Sequence, residues 1–501
     1  MSAAPVTAPI PHTVTLETAE RLFIDGAWVE PSTGARLDVV DPTTEEVLFR
    51  VAEAREEDID RAVAAARRAF DHGPWPRLSH QERAEFLRRM AAGLDRRGNE
   101  IANIWSSQMG VVQTLATLSI PRFGALFRFY ADLADQFAFE EAHVASGGEE
   151  ATLVREPVGV VGAIIPWNGP MLLTAHKVAP ALLAGCTVVV KPSPETPGEA
   201  YVLAEIAAEV GLPPGVLNVV TAERHISERL VQDPRVDKIT FTGSTATGRR
   251  IASICGERVA RVTLELGGKS AAIVLDDADI ETVAASLART ELAVSGQVCS
   301  CLSRIIVGKD QHDELVDALC ARLATTRVGD PFDPDVDMGP LAMRRQLERV
   351  ERYVAEGRAQ GGTLALGGNR PDHLARGFFF QPTVFGRVDN ASTIAQEEIF
   401  GPVFSVIPAR DEAHAVELAN GTRYGLNASV FTNDEERAQR LARSLRSGTV
   451  AFNAHRGAAD VAFGGFKQSG LGREGGREGL YPYLETKTII TDRSAPTEPI
   501  A

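Results

Sequence analysis

The chain opens on short apolar pieces broken by turn residues. RLFIDGAWVEPSTGARLDVVDPTT sets strand-length runs between Asp25-Gly26, Pro31 and Thr33-Gly34, a pattern that predicts brief strands joined by tight turns. From Glu56 the period changes. Ile59, Ala62, Val63, Ala66 and Phe70 recur three and four residues apart and share one face of a helix. Helical periodicity continues through 81–98 and on toward Phe139. Beyond it, strand-length runs alternate with helical stretches: the unbroken apolar VGVVGAII, a helix over 171–183, CTVVVK, a helix over 198–209, GVLNVV, a short helix, then KITFTGS. Such alternation predicts a largely parallel sheet flanked by helices. The pattern then restarts with AAIVLD, a helix from Ile280, SRIIVG and a helix over 312–323, which predicts a second α/β domain. LETKTIITD near the end reads as a strand. The first dozen residues, rich in Ala, Pro and Thr, read as frayed. There is no internal repeat, low-complexity tract or charge block.

At 501 residues the chain exceeds one ordinary core and predicts two large domains, or three. Hydrophobic residues at 44% and charged ones at 24% fit a soluble globular protein. A net charge of −15 argues against a nucleic-acid partner, which needs a basic face, and against binding to anionic membranes. No apolar run approaches a membrane span, and the N-terminus has neither a basic n-region nor an apolar h-region. Five cysteines without framework spacing favour a reducing compartment, so a cytoplasmic location is expected.

Chemistry concentrates in VSGQVCSCLSR, where Cys299 and Cys301 stand one residue apart. A closed zinc site needs four ligands, yet Cys186, Cys255 and Cys320 stand alone and no His pair has ligand spacing. No metal is expected. A redox pair usually has the spacing C-x-x-C. Free cysteine is among the most buried residue types, which is the reading for Cys186, Cys255 and Cys320. A nucleophile needs a polar, partly open site, which the Gly, Gln and Ser neighbours of Cys299 allow. Elsewhere Asn168 follows an apolar run in PWNGP, either as a turn residue or as an amide presented at a strand end. Glu265 lies in an apolar strand before Gly267-Gly268, either as a satisfied charge or as a general base. FTGSTATG places glycines and hydroxyls between a strand and a helix, a place suited to phosphate.

Taken in order, PWNGP, KPSPETP, FTGSTATG, LELGGKS, GQVC, EEIFGPV, FGGFKQSGLGRE and YLETKT closely resemble the aldehyde dehydrogenase superfamily over nearly the whole chain. The resemblance implies an α/β, aldehyde dehydrogenase-like fold: two open parallel-sheet α/β domains plus a small β bridging and oligomerisation element. The implied limits are 1–137 and 158–267 for the dinucleotide-binding domain, 268–479 for the catalytic domain, and 138–157 with 480–501 for the bridging element. It also implies oxidation of an aldehyde to the carboxylic acid with NAD(P). Cys299 is then the nucleophile, Asn168 an oxyanion donor and Glu265 the base for thioester hydrolysis, with Lys177 and Glu474 in a proton relay. Cofactor contacts fall on Ile164, Pro166, Trp167, Lys191, Ser193, Gly243, Ser244, Leu266, Glu398 and Phe400. Cys301 is expected to line the tunnel or to stand open to oxidation.

The sequence departs from the family pattern at three places. Pro194 replaces a glutamate frequent in NAD-preferring members, so NAD is expected with NADP tolerated. Gly169 and His176 replace larger aromatics, which leaves room for a bulkier aldehyde. His455 and Arg456, in the segment that forms the far wall of the tunnel, read as solvated loop residues that a polar substrate would meet. The family also implies a homodimer or homotetramer. Two alternative readings are a CoA-acylating enzyme, which commonly lacks the base matched by Glu265, and a non-catalytic relative. A third, a Cys–His hydrolase, would set His176 or His455 beside Cys299.

Overall fold

Val160–Ile164, Thr187–Lys191 and Lys238–Thr242 are buried along their whole length, as the central strands of a sheet covered on both faces are. The structure, a computed structural model, describes residues 14–491; the first dozen residues, read as frayed, lie outside them. Val161, Ala163, Val188 and Val190 enter one core layer, and Val160, Ile164, Val189 and Ile239 enter another. Each face of the sheet is therefore covered by helices, among them Pro170–Ala184, Gly198–Glu209 and Glu56–Asp71. The last buries Ile59, Ala62, Val63 and Ala66, the stripe that its sequence marks.

This first sheet has eight strands, five of them parallel at its centre. From Val160–Ile164 the chain steps to one side through Thr187–Lys191 and Leu217–Val219. It then crosses to the other side through Lys238–Thr242 and Arg261–Glu265. That reversal opens a crevice beyond the carboxyl ends of Val160–Ile164 and Lys238–Thr242, where open α/β sheets bind ligands.

A second sheet of seven strands, six of them parallel, begins at Ala271–Val274. Residues 266–270 join the carboxyl end of the first sheet to the amino end of the second. Glu140–Val144, Glu150–Pro157 and Leu484–Thr491 form a small antiparallel sheet. The architecture is thus two open, largely parallel α/β sheets plus a small β element. No helix among the described residues is long and apolar enough to cross a membrane.

Candidate active site

Helix Ile280–Glu291 leads into a strained turn before Cys299. Val294 and Ser295 both have φ of +55° and Gly296 has +73°. Left-handed backbone at a β-branched valine costs on the order of 1–3 kcal/mol and persists only where its surroundings hold it. Here Ser295 Oγ donates to the Gly339 carbonyl at 2.8 Å. Gln297, fully buried, accepts the Ala342 N–H at 3.0 Å and donates to the Val294 carbonyl at 3.0 Å.

The turn brings Cys299 onto the link between the sheets. A Cβ on Gly268 would lie 2.2 Å from the Cys299 carbonyl oxygen, and one on Gly267 would lie 2.6 Å from Glu398 Oε2. A side chain at 268 would displace backbone, whereas one at 267 would displace the end of the Glu398 side chain. The Gly268 N–H donates to Glu398 Oε1 at 3.0 Å.

Asn168 is tied to the same loop: its Nδ2 donates to the Gln297 carbonyl at 3.0 Å. Its own carbonyl accepts Trp105 Nε1 at 3.2 Å, and Thr196 Oγ1 donates to the Trp167 carbonyl at 3.1 Å. Glu265 ends its strand in register with Thr242. Its carboxylate is buried with neither oxygen partnered, and lies 2.7 Å from where a Cβ on Gly464 would stand. Burial lifts its pKa well above the usual carboxylate range; the Glu474 charge adds to this, and Lys177 and Arg473 oppose it. Lys177 Nζ donates to Glu474 Oε1 at 2.5 Å and to Thr242 Oγ1 at 2.6 Å, with both members of the ion pair buried. Burial, then the charges of Glu398 and Glu265, push the Cys299 thiol up to about 12.

The other end of the crevice suits a dinucleotide. Ile164 pairs in register with Lys191. Burial brings the Lys191 ammonium down to about 8, against the charges of Glu195 and Glu223. Ser193 donates to the Glu195 carboxylate, which Arg345 also binds at 2.5 Å. Pro194, Glu195, Glu223, Met343, Arg344 and Phe378 are among the residues lining a cleft of about 370 Å³. Ser244 caps helix Thr245–Glu257 by accepting the Thr247 N–H at 3.3 Å, and the Gly243 N–H donates to the Glu265 carbonyl at 3.0 Å. The Leu266 N–H donates to the Ser469 carbonyl at 2.9 Å. Trp167, which follows Pro166, stands edge-on to Phe400 at 5.2 Å, and Phe400 holds φ at +64°. Burial pushes Glu398 up to about 7. A helix start for a pyrophosphate, a buried lysine for a ribose, and a buried carboxylate beside an aromatic pair make a donor set that fits NAD(P).

Three expectations need correction. Cys301 is buried with its sulfur 3.8 Å from the Glu291 carbonyl, so it does not stand open to an oxidant. Cys186 and Cys255 are buried as expected, but Cys320 is only partly so. His455 is not a solvated loop residue: Nε2 lies 3.0 Å from Ser300 Oγ and Nδ1 lies 3.0 Å from Glu291 Oε1. It therefore faces Ser300 rather than completing a Cys–His pair. His176 is buried, which brings it down to about 4, and its Nδ1 has no partner. The structural parts played by Gln297 and Glu291 were not anticipated. A signal for Glu291 did exist: it continues the spacing of Ile280, Val283, Ala284 and Leu287, which puts a carboxylate on the buried face of its helix.

The profile of the aldehyde dehydrogenase family matches residues 28–489. Geranial dehydrogenase of Castellaniella defragrans is 44% identical over 471 residues, covering 94% of this chain and 98% of that protein. An aldehyde dehydrogenase of Mycobacterium tuberculosis complexed with NAD+ is 41% identical and superimposes with a TM-score of 0.93, covering 95% of this chain and 99% of that one. Aldehyde dehydrogenase C of Pseudomonas syringae, solved as a cysteine-to-alanine mutant with NAD+ and octanal, is 38% identical with a TM-score of 0.92, covering 96% and 98%. The chain therefore belongs to the aldehyde dehydrogenase family, enzymes that oxidise aldehydes to acids with a nicotinamide cofactor.

Proposed function

We propose that Cys299 attacks the aldehyde carbonyl and that Glu265 serves as the base for hydrolysis. The observation that carries this reading is the bond from the Asn168 amide to the Gln297 carbonyl, two residues before Cys299. It keeps an amide donor beside the nucleophile loop. The Cys299 sulfur adds to the carbonyl carbon and forms a thiohemiacetal. The Asn168 amide and the Cys299 backbone N–H hold its oxyanion, donors fixed before charge develops. A bound nicotinamide supplies the hydride acceptor. The resulting thioester on Cys299 is attacked by water as Glu265 takes the proton. A buried carboxylate without partners holds a proton more tightly and is the stronger base for it. Lys177 and Glu474 then carry that proton away from the site.

Lys191 and Ser193 would hold the adenosine ribose, Gly243 and Ser244 the pyrophosphate, and Glu398 the nicotinamide ribose. Phe400, Trp167, Pro166, Leu266 and Ile164 would shape the walls. The preferred cofactor is NAD. Pro194 offers no carboxylate, but Glu195 and Glu223 both line the cleft, and their charges would oppose a 2′-phosphate there, against Arg344 in the same lining and Arg345 on Glu195. The substrate is a bulky or long-chain aldehyde, because a Cβ on Gly169 would meet nothing closer than Leu173 at 3.8 Å. Residues 1–137 and 158–267, 268–479, and 138–157 with 480–501 are the corresponding domains. The assembly is a homodimer or homotetramer.

The test is nicotinamide reduction without CoA, with NAD or NADP, across acetaldehyde, octanal and geranial. Turnover with NAD exceeding that with NADP, and kcat/KM higher for octanal or geranial than for acetaldehyde, supports the reading. Turnover only when CoA is added would replace hydrolysis by acyl transfer.

A further inference from the structure

Beside Cys299, three side chains form a hydrogen-bonded chain for which the aldehyde reaction has no use. Glu291 ends its helix with the side chain fully buried. Its Oε2 accepts the Leu302 N–H at 2.7 Å, and its Oε1 accepts Thr290 Oγ1 at 3.1 Å and faces His455 Nδ1 at 3.0 Å. A carboxylate held as an acceptor assigns the imidazole proton to Nδ1. The Nε2 lone pair is left 3.0 Å from Ser300 Oγ. The carboxylate end is closed, whereas the His455 side chain is 16% exposed and Ser300 is also partly exposed. Nucleophile, base and orienting carboxylate thus stand in order, each link within hydrogen-bond reach.

We propose that Ser300, His455 and Glu291 form a second nucleophilic site that hydrolyses activated esters without nicotinamide. Ser300 Oγ adds to the ester carbonyl carbon while His455 Nε2 takes its proton. The bond to the leaving oxygen breaks, and the alcohol departs with that proton. Water then adds to the acyl-serine and gives a proton to Nε2. The acyl–Oγ bond breaks, the proton returns to Ser300, and the acid leaves. One ester and one water become one acid and one alcohol, with no redox change. Glu291 steadies the imidazolium in both halves.

The experiment uses the full chain carrying Cys299→Ala, which removes the neighbouring thiol, with 4-nitrophenyl acetate and no nucleotide. Hydrolysis above the buffer rate is expected. It should fall at least about ten-fold, as loss of a base or nucleophile does, when Ser300→Ala or His455→Phe is added. A fluorophosphonate probe should label the peptide holding Ser300 in Cys299→Ala, and not after His455→Phe is added. NAD binding by each variant, read from tryptophan fluorescence, reports that the fold is kept. Because Ser300→Ala removes a single oxygen, it carries the decision if His455→Phe fails to fold. Hydrolysis at the buffer rate by folded Cys299→Ala, hydrolysis that survives Ser300→Ala, or label on another residue would overturn the proposal. None of these outcomes bears on whether Cys299 handles aldehydes, which the nicotinamide assay reads separately.

Discussion

Burial raises the hold of both Cys299 and Glu265 on a proton; the charges of Glu398 and Glu265 add to it at Cys299, and that of Glu474 at Glu265. With the thiol pushed up to about 12, the thiolate is scarce near neutrality and its fraction grows with pH. Alkylation of Cys299 by iodoacetamide should therefore speed up about ten-fold per pH unit between about pH 7 and pH 9; a plateau below about pH 8 would contradict the shift. Glu199 shows the same physics away from the chemistry. It is buried, accepts the Met171 N–H on Oε2, and has no partner for Oε1. Burial lifts its pKa well above the usual value. The folded state then binds the extra proton, so this contribution is present below the unfolded pKa and is lost as pH rises through the folded one. Glu199→Gln should raise the thermal midpoint more at about pH 8 than at about pH 5, and a gap that does not widen would refute it. Cys299, Glu265 and Asn168 were legible because each sits in a motif with its own neighbours. The pairing of Glu291 with His455 was not, because its two members lie more than 150 residues apart along the chain.

Among the elements, the link of residues 266–270 decides how the two halves of the site meet. Its glycines let the Cys299 carbonyl and the Glu398 carboxylate close on one peptide. Gly268→Ala forces that carbonyl away. It should cost about 1–3 kcal/mol of stability, as overpacking does, and lower kcat more than the lost stability explains. Denaturant melts beside steady-state kinetics check this; unchanged kcat would show that the approach does not matter. Strands and helices could be read from period because burial is local to each run. The left-handed turn at Val294–Ser295 could not, since valine disfavours it and contacts with residues far along the chain, among them Gly339, Pro340 and Ala342, help to hold it there. Phe400 is a second such case.

Across the whole molecule, the alternation of strands and helices pointed to two parallel sheets, and the ordered motifs pointed to how they share a site. Neither gave the reversal of strand order that opens the crevice, because register and neighbour depend on packing between distant runs. The last strand, Leu484–Thr491, pairs on one side with Glu150–Pro157 and leaves Ile489 and Ile490 exposed. An uncovered apolar edge is a site for pairing with another chain. Ile489→Lys with Ile490→Lys should shift the enzyme toward monomer in light scattering, with the fold intact by circular dichroism. An unchanged mass would place the assembly surface elsewhere.

The claim that joins these scales is that Cys299, and not its neighbour two residues on, forms the bond to the substrate. The direct measurement is steady-state reduction of NAD with octanal by the parent, Cys299→Ala and Cys301→Ala enzymes, each confirmed to bind NAD. Cys299→Ala should give no turnover above background, and Cys301→Ala turnover within a few-fold of the parent. Turnover that survives Cys299→Ala, or that vanishes with folded Cys301→Ala alone, would contradict it.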